Sequence, residues 1–121
     1  MFTLDIIDAN SQAIEAVLDD TLFYIVLNWN ESNHNWEMSI RNSAYSTILA
    51  GISLVPNYPL TYQFRYTEMP PGELMVISAR YRNGPIPRNG FEQDYELVYI
   101  TQGELIEWGF IDRMGMLGNA F

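Results

Sequence analysis

Short runs in which apolar and polar residues alternate recur along the chain, broken by Asn, Gly and Pro. A period of two marks strands with one dry and one wet face. Phe2 to Ile7 reads as a first strand. Gln12 to Leu18 carries helix-favouring Ala and Glu, but Ile14, Ala16 and Leu18 alternate, and so short a segment makes a marginal helix. It is read as a strand, with Asp19-Asp20 as the hairpin turn. In Leu22 to Trp29, the residues Phe23, Ile25, Leu27 and Trp29 share one face. After the polar loop Asn30 to Asn35, Trp36, Met38 and Ile40 alternate with Glu37, Ser39 and Arg41, as expected of an antiparallel hairpin.

The alternation continues through Ile48, Ala50, Ile52 and Leu54, with Gly51 marking a bulge or a close approach. Pro56 and Pro59 end that strand. Tyr62, Phe64 and Tyr66 form an aromatic ladder, and Pro70-Pro71-Gly72 a turn. Glu73 to Ser78 is the next strand. Residues 83–90 hold two Pro and two Gly and read as a stiff loop. Tyr95 to Ile100 and Glu104 to Phe110 are read as the closing strands. The expected fold is all-β: a small antiparallel β-sandwich or barrel of eight or nine short strands. One β domain over residues 1–113 would be followed by an apolar tail over 114–121 that does not alternate.

Composition narrows the chemistry. A chain of 121 residues fits one domain, and 48% hydrophobic residues with eight Tyr, six Phe and three Trp can fill a core. There is no Cys, which excludes disulfides, thiolate metal sites and cysteine nucleophiles. All six basic residues are Arg, and fifteen acids bring the net charge to −9. Such a surface repels nucleic-acid phosphates and anionic membrane, and it would suit a wall that DNA slides past. The acidic N-terminus lacks the basic region of a signal peptide. No apolar run reaches the roughly 20 residues of a membrane helix. The protein is expected to stay in the cytoplasm where it is made or to leave as part of an assembly.

Catalytic constellations do not emerge. The single His34 sits in a polar loop, and one imidazole without Cys or clustered carboxylates makes no zinc site. Glu104 and Glu107, read on a strand, would point to opposite faces. No Gly-x-Ser-x-Gly elbow and no phosphate loop with Lys is present. The ladder Tyr62, Phe64, Tyr66 is a core face before it is a stacking platform, since single-stranded nucleic acid also needs a basic groove. No enzyme activity, cofactor or metal is expected. The candidate protein contacts are Met114, Met116, Leu117 and Phe121 of the tail, because Met adapts to binding surfaces and an exposed apolar tail is a liability. Pro85, Ile86 and Pro87 of the stiff loop join them.

One segment runs Ile48-Leu49-Ala50-Gly51-Ile52-Ser53-Leu54-Val55-Pro56 and on to the aromatic strand ending at Tyr66. It is followed by Pro71-Gly72-Glu73-Leu74-Met75-Val76-Ile77. Together with Leu27-Asn28-Trp29-Asn30, the second Trp36 and Tyr95 to Tyr99, this pattern resembles the small phage baseplate plug proteins, the family typified by the plug of the cyanophage Pam3 contractile tail. The resemblance spans roughly residues 20–100 and does not extend to the tail beyond Met114. It implies a structural virion protein at the tail baseplate, near the hub and the tube lumen. It also implies partners among hub, tube or tape-measure proteins, with a symmetric assembly as the setting. Two other readings stand beside it: an acidic inhibitor that mimics DNA, and a carbohydrate-binding sandwich motivated by the Trp and Tyr content.

Overall fold

Residues 1–61, 68–78, 86–92 and 94–108 are described by a computed structural model of the chain. Their order is β1 (Phe2–Thr3), β2 (Ser11–Leu18), β3 (Thr21–Asn30), β4 (Asn35–Arg41), β5 (Thr47–Ser53), β6 (Glu73–Ser78), a 3-10 turn (Gly90–Glu92), β7 (Tyr95–Ile100) and α1 (Gln102–Glu107). Two antiparallel sheets result, one ordered β1-β7-β6 and the other β2-β3-β4-β5. No barrel closes among these strands, so the architecture is sandwich-like.

Local chemistry sets the hairpins. Asp19 and Asp20 both have positive φ, 50° and 67°, the backbone of a two-residue turn whose twist matches its flanking strands. The β3–β4 loop is held by Asn30, whose Oδ1 accepts from the Asn33 N–H at 3.1 Å, and His34 takes φ 50° there. At the β4–β5 loop Asn42 Oδ1 accepts from the Ala44 and Ser46 N–H groups at 3.0 and 2.9 Å, an Asx-type closure.

The inner faces meet in one core. Phe23, Ile25, Leu27, Trp36, Met38 and Ile40 from the larger sheet pack against Leu74, Val76, Leu97 and Tyr99 from the smaller one. Nearly all are fully buried, each contributing about 1.5–3 kcal/mol through its apolar surface. The segment after β5 seals the edge of β6. The Asn57 N–H donates to the Val76 carbonyl at 2.6 Å, and the Leu60 N–H to that of Leu74 at 3.1 Å.

The strands expected at Gln12–Leu18, Leu22–Trp29, Trp36–Arg41, Glu73–Ser78 and Tyr95–Ile100 are present within a residue or two. Three expectations need correction. The first strand pairs only over Phe2–Thr3, with one further bond from the Leu4 N–H to the Leu97 carbonyl. In β5 the register shifts between Met38 and Ile40, so that Ala50 and Gly51 together oppose Ser39. This bulge, with Gly51 at φ 71°, and a second register shift between Ile40 and Arg41 that leaves Ile48 without a partner reset the parity: Ala50 is exposed, while Ile48 and Leu49 are both half-buried. The closing strand expected at Glu104–Phe110 is instead α1 over its described part. Thr101 and Glu104 form a capping box, with the Thr101 N–H donating to Glu104 Oε1 at 3.0 Å and the Glu104 N–H to Thr101 Oγ1 at 3.2 Å. Satisfying two orphan helix donors at once tips the balance to helix. Glu104 and Glu107 therefore lie three apart on a helix, on neighbouring rather than opposite positions. The aromatic ladder Tyr62, Phe64, Tyr66 lies outside the described residues.

Candidate contact surfaces

One end of the sandwich is organised by the β2–β3 turn. Asp19 Oδ2 accepts from the Tyr99 hydroxyl at 2.5 Å and from the Gln102 N–H at 3.1 Å. The same hydroxyl accepts from the Gly72 N–H at 2.7 Å. A single carboxylate thus joins the larger sheet, the last strand of the smaller sheet and the start of α1. The approach is close: a Cβ on Gly72 would lie 2.0 Å from the Ile100 carbonyl oxygen and 2.5 Å from Tyr99 Cζ. The Met1 ammonium pairs with Glu104 Oε1. That bond, and then the one from the Thr101 backbone, holds the Glu104 carboxyl below its ordinary value of 4.5.

At the Trp36 end the rings gather. Trp36 packs edge-on against Trp29 and Phe91, with centroids 5.5 and 5.6 Å apart. Its indole N–H donates to the Pro87 carbonyl at 3.2 Å. Arg88 lies over the Trp36 ring at 5.4 Å, pairs with Asp8 at 3.0 Å and donates to Asn10. The loop that includes Pro87 is therefore strapped across the Trp cluster rather than held by Pro stiffness alone. No spacing rule in the sequence relates Arg88 to Asp8, or Tyr99 to Asp19; only the fold brings these pairs together.

The candidate contact residues separate by placement. Pro87 is exposed, but Ile86 is 1% exposed and packs within the core of its own chain. Pro85, Met114, Met116, Leu117 and Phe121 lie outside the described residues. Of the six Arg, only Arg41 and Arg88 are described, and both are engaged: Arg41 stacks 4.5 Å over the Tyr45 ring and donates to the Tyr45 carbonyl at 3.0 Å. The exposed acids Asp5, Asp8, Glu15, Asp20, Glu31, Glu68, Glu96 and Glu107 are spread over both sheets and their ends. The field they create is negative.

Buried polar chemistry is structural in form. Glu73, 2% exposed, accepts from the Thr61 N–H and hydroxyl, both at 2.7 Å, and from the Leu74 N–H at 3.1 Å, tying the chain before the aromatic ladder to β6. A groove of about 440 Å³ opens between Leu22, Phe23, Asn42, Ser43, Glu68 and Pro71. Among the described residues no three His, Asp or Glu side chains converge as a metal ion would require.

This geometry is that of a braced sandwich with an acidic exterior, and its sequence can be placed. No curated protein matches the chain. A family model does, described as the cyanophage baseplate Pam3 plug gp18, and it matches residues 1–102. The match takes in both sheets and stops at the first turn of α1, so the rest of the helix and the segment after it lie beyond the family pattern. With most of its length covered, the chain belongs to the cyanophage Pam3 baseplate plug family, whose role is structural and whose place is the virion's tail baseplate.

Proposed function

We propose that this chain plugs the distal end of the tail on its axis, seated between the hub and the lumen of the tail tube. The family match over residues 1–102 carries this reading, and the surface chemistry supports it. A body with net charge −9 beside the lumen would not hold DNA by its phosphates. The protein acts through shape and surface, without catalysis. It is made in the host cytoplasm and built into the baseplate together with hub, tube or tape-measure proteins. The segments that make its protein contacts in that assembly are Met114, Met116, Leu117 and Phe121 of the tail, and the loop at Pro85 and Pro87, with Ile86 anchoring that loop from within.

The test is localisation in purified virions, with a gold-conjugated antibody against this chain viewed by electron microscopy, followed by a focused reconstruction of the tail tip. Label at the tip with axial density that fits the sandwich is the expected result. Absence from intact particles, with abundant protein in infected cells, would overturn the assignment. Salt-sensitive competition with DNA for a nuclease would then point to an acidic inhibitor.

A further inference from the structure

Sheet edges are sites where another chain can add a strand, and proteins ordinarily blunt them with bulges, charges, Pro or covering segments. Three of the four edges formed by the described strands are blunted by length, bulge or covering segment. Strand β1 is two residues long. The edge of β6 is covered by Pro56 to Leu60. Strand β5 carries the bulge at Ala50-Gly51. Strand β2 is the least protected among the described strands: its one blunting feature is the charge of Glu15, and it runs eight residues without Pro, Gly or register shift.

Its free hydrogen-bonding groups can be assigned. The Trp29 N–H donates to the Asn10 carbonyl at 2.7 Å, and the register pairs Ser11 with Asn28 and Leu18 with Thr21. In an antiparallel ladder the bonded pairs alternate, so Gln12, Ile14, Ala16 and Leu18 face β3. The N–H and C=O groups of Ser11, Ala13, Glu15 and Val17 point out of the sheet. They have no backbone partner among the described residues. Side chains repeat the exposure: Val17 is 60% exposed, Ala13 and Glu15 are exposed, and Ile14 at the rim of the core is only half-buried.

We infer that this edge receives residues 110–117 of a second copy of the chain as an added antiparallel strand. That segment equals β2 in length, and it begins two positions after Trp108, the last described residue. Antiparallel pairing with Arg113 opposite Glu15 sets Ile111 against Val17 and Gly115 against Ala13 on the outer face. On the inner face it sets Met114 beside Ile14 and Phe110 beside Leu18. Asp112 falls on that same inner face, beside the small Ala16. The match joins opposite charges and covers the exposed Val17, both of which favour a cross-strand pair. A second β2 strand is a poorer occupant, because two-fold pairing centred on Glu15 would set like charges face to face. Helix α1, which precedes the segment, packs Leu105 and Ile106 over Ile100 and Met75, on the outer face of the other sheet. Head-to-tail strand donation of this kind closes rings when the rotation allows, which deepens the proposed role at the tail axis by naming the partner as a further copy of the chain.

The test does not depend on virions, so it can fail while the baseplate placement holds. Light scattering of the full chain should show concentration-dependent association. That association should disappear in a chain ending at Trp108 and in Ala13→Pro, which removes only an outward N–H. The chain has no Cys, so a mixture of Glu15→Cys and Arg113→Cys chains should form one mixed disulfide. The Cα atoms of a directly hydrogen-bonded pair lie about 5.5 Å apart, within disulfide reach. A full chain that stays monomeric, a truncated chain that associates as before, or Glu15→Cys and Arg113→Cys chains that form no mixed disulfide would each overturn the inference.

Discussion

The Gly72 contact joins close packing to hydrogen bonding at one residue. Its missing side chain lets the turn before β6 sit on the Ile100 carbonyl, and its N–H meets the Tyr99 hydroxyl. Because the first obstacle to a Cβ is backbone, 2.0 Å away, no rotamer change relieves it. Gly72→Ala should therefore cost about 3 kcal/mol, the upper end of what overpacking ordinarily costs, read as a lower denaturant midpoint. Tyr99→Phe keeps the ring but removes the donor to Asp19 and the acceptor for Gly72, and should cost roughly 1–3 kcal/mol. If both variants unfolded like the parent chain, the node would be incidental to stability. Sequence alone identified Gly72 as a turn residue through its neighbours Pro70 and Pro71. It could not reveal the Tyr99–Asp19 pair, because alternation says which face a side chain takes but nothing about which distant residue meets it. The same limit applies to Arg88 and Asp8, and it explains why Ile86, in a Pro-rich stretch that read as surface loop, turns out to be core.

Elements were legible where periodicity and punctuation agreed. Strands β3 and β4 show clean alternation, β2 alternates through Ile14, Ala16 and Leu18 despite its helix-favouring Ala and Glu, and Asp19-Asp20 sits between β2 and β3. That turn supports a direct test. Asp20 has φ 67°, a region glycine occupies without strain, and Asp-Gly is a favoured pair for such turns. Asp20→Gly should leave the fold intact and change stability by up to about 1 kcal/mol in the favourable direction, whereas Asp19→Gly should destabilise by removing the acceptor for Tyr99. Helix α1 was missed for a physical reason. Its capping box Thr101-x-x-Glu104 was written in the sequence, but Glu104 to Trp108 also mixes polar and apolar residues closely enough to imitate a strand. Thr101→Ala should cost about 1 kcal/mol. The acid response of the helix has a definite sign: the Glu104 carboxyl is held low by the Met1 ammonium and then by the Thr101 backbone. Its contribution is complete above the ordinary value of 4.5 and is lost as the pH falls below it, through the lowered folded value. Amide exchange across α1 should accelerate in that acid range in the parent chain, and the step should be absent in Glu104→Gln.

At the scale of the whole molecule, the charge balance sets solution behaviour apart from any single contact. The parent chain carries a net charge of −9. Within the described residues its two Arg are already engaged by Tyr45, Asp8 and Asn10, while acids stand exposed at both ends of the sandwich and on both sheets. Self-repulsion among them opposes compaction, and added salt shortens its reach from about 30 Å at 0.01 M to about 8 Å at 0.15 M. The attractive pairs, Arg88 with Asp8 and Met1 with Glu104, are weakened by the same salt, but exposed pairs contribute only about 0–1 kcal/mol. Repulsion should therefore dominate the response, and the thermal midpoint should rise by a few degrees between those salt concentrations, about 1 kcal/mol corresponding to roughly 4 °C in a domain of this size. The measurement belongs with the chain ending at Trp108, so that any salt-driven association through residues 110–117 does not add its own stabilisation. A midpoint that falls with salt would mean that the few local ion pairs outweigh the distributed field. The acidic exterior would then be a patchwork of attractive contacts rather than the uniformly repelling wall that suits a plug beside passing DNA.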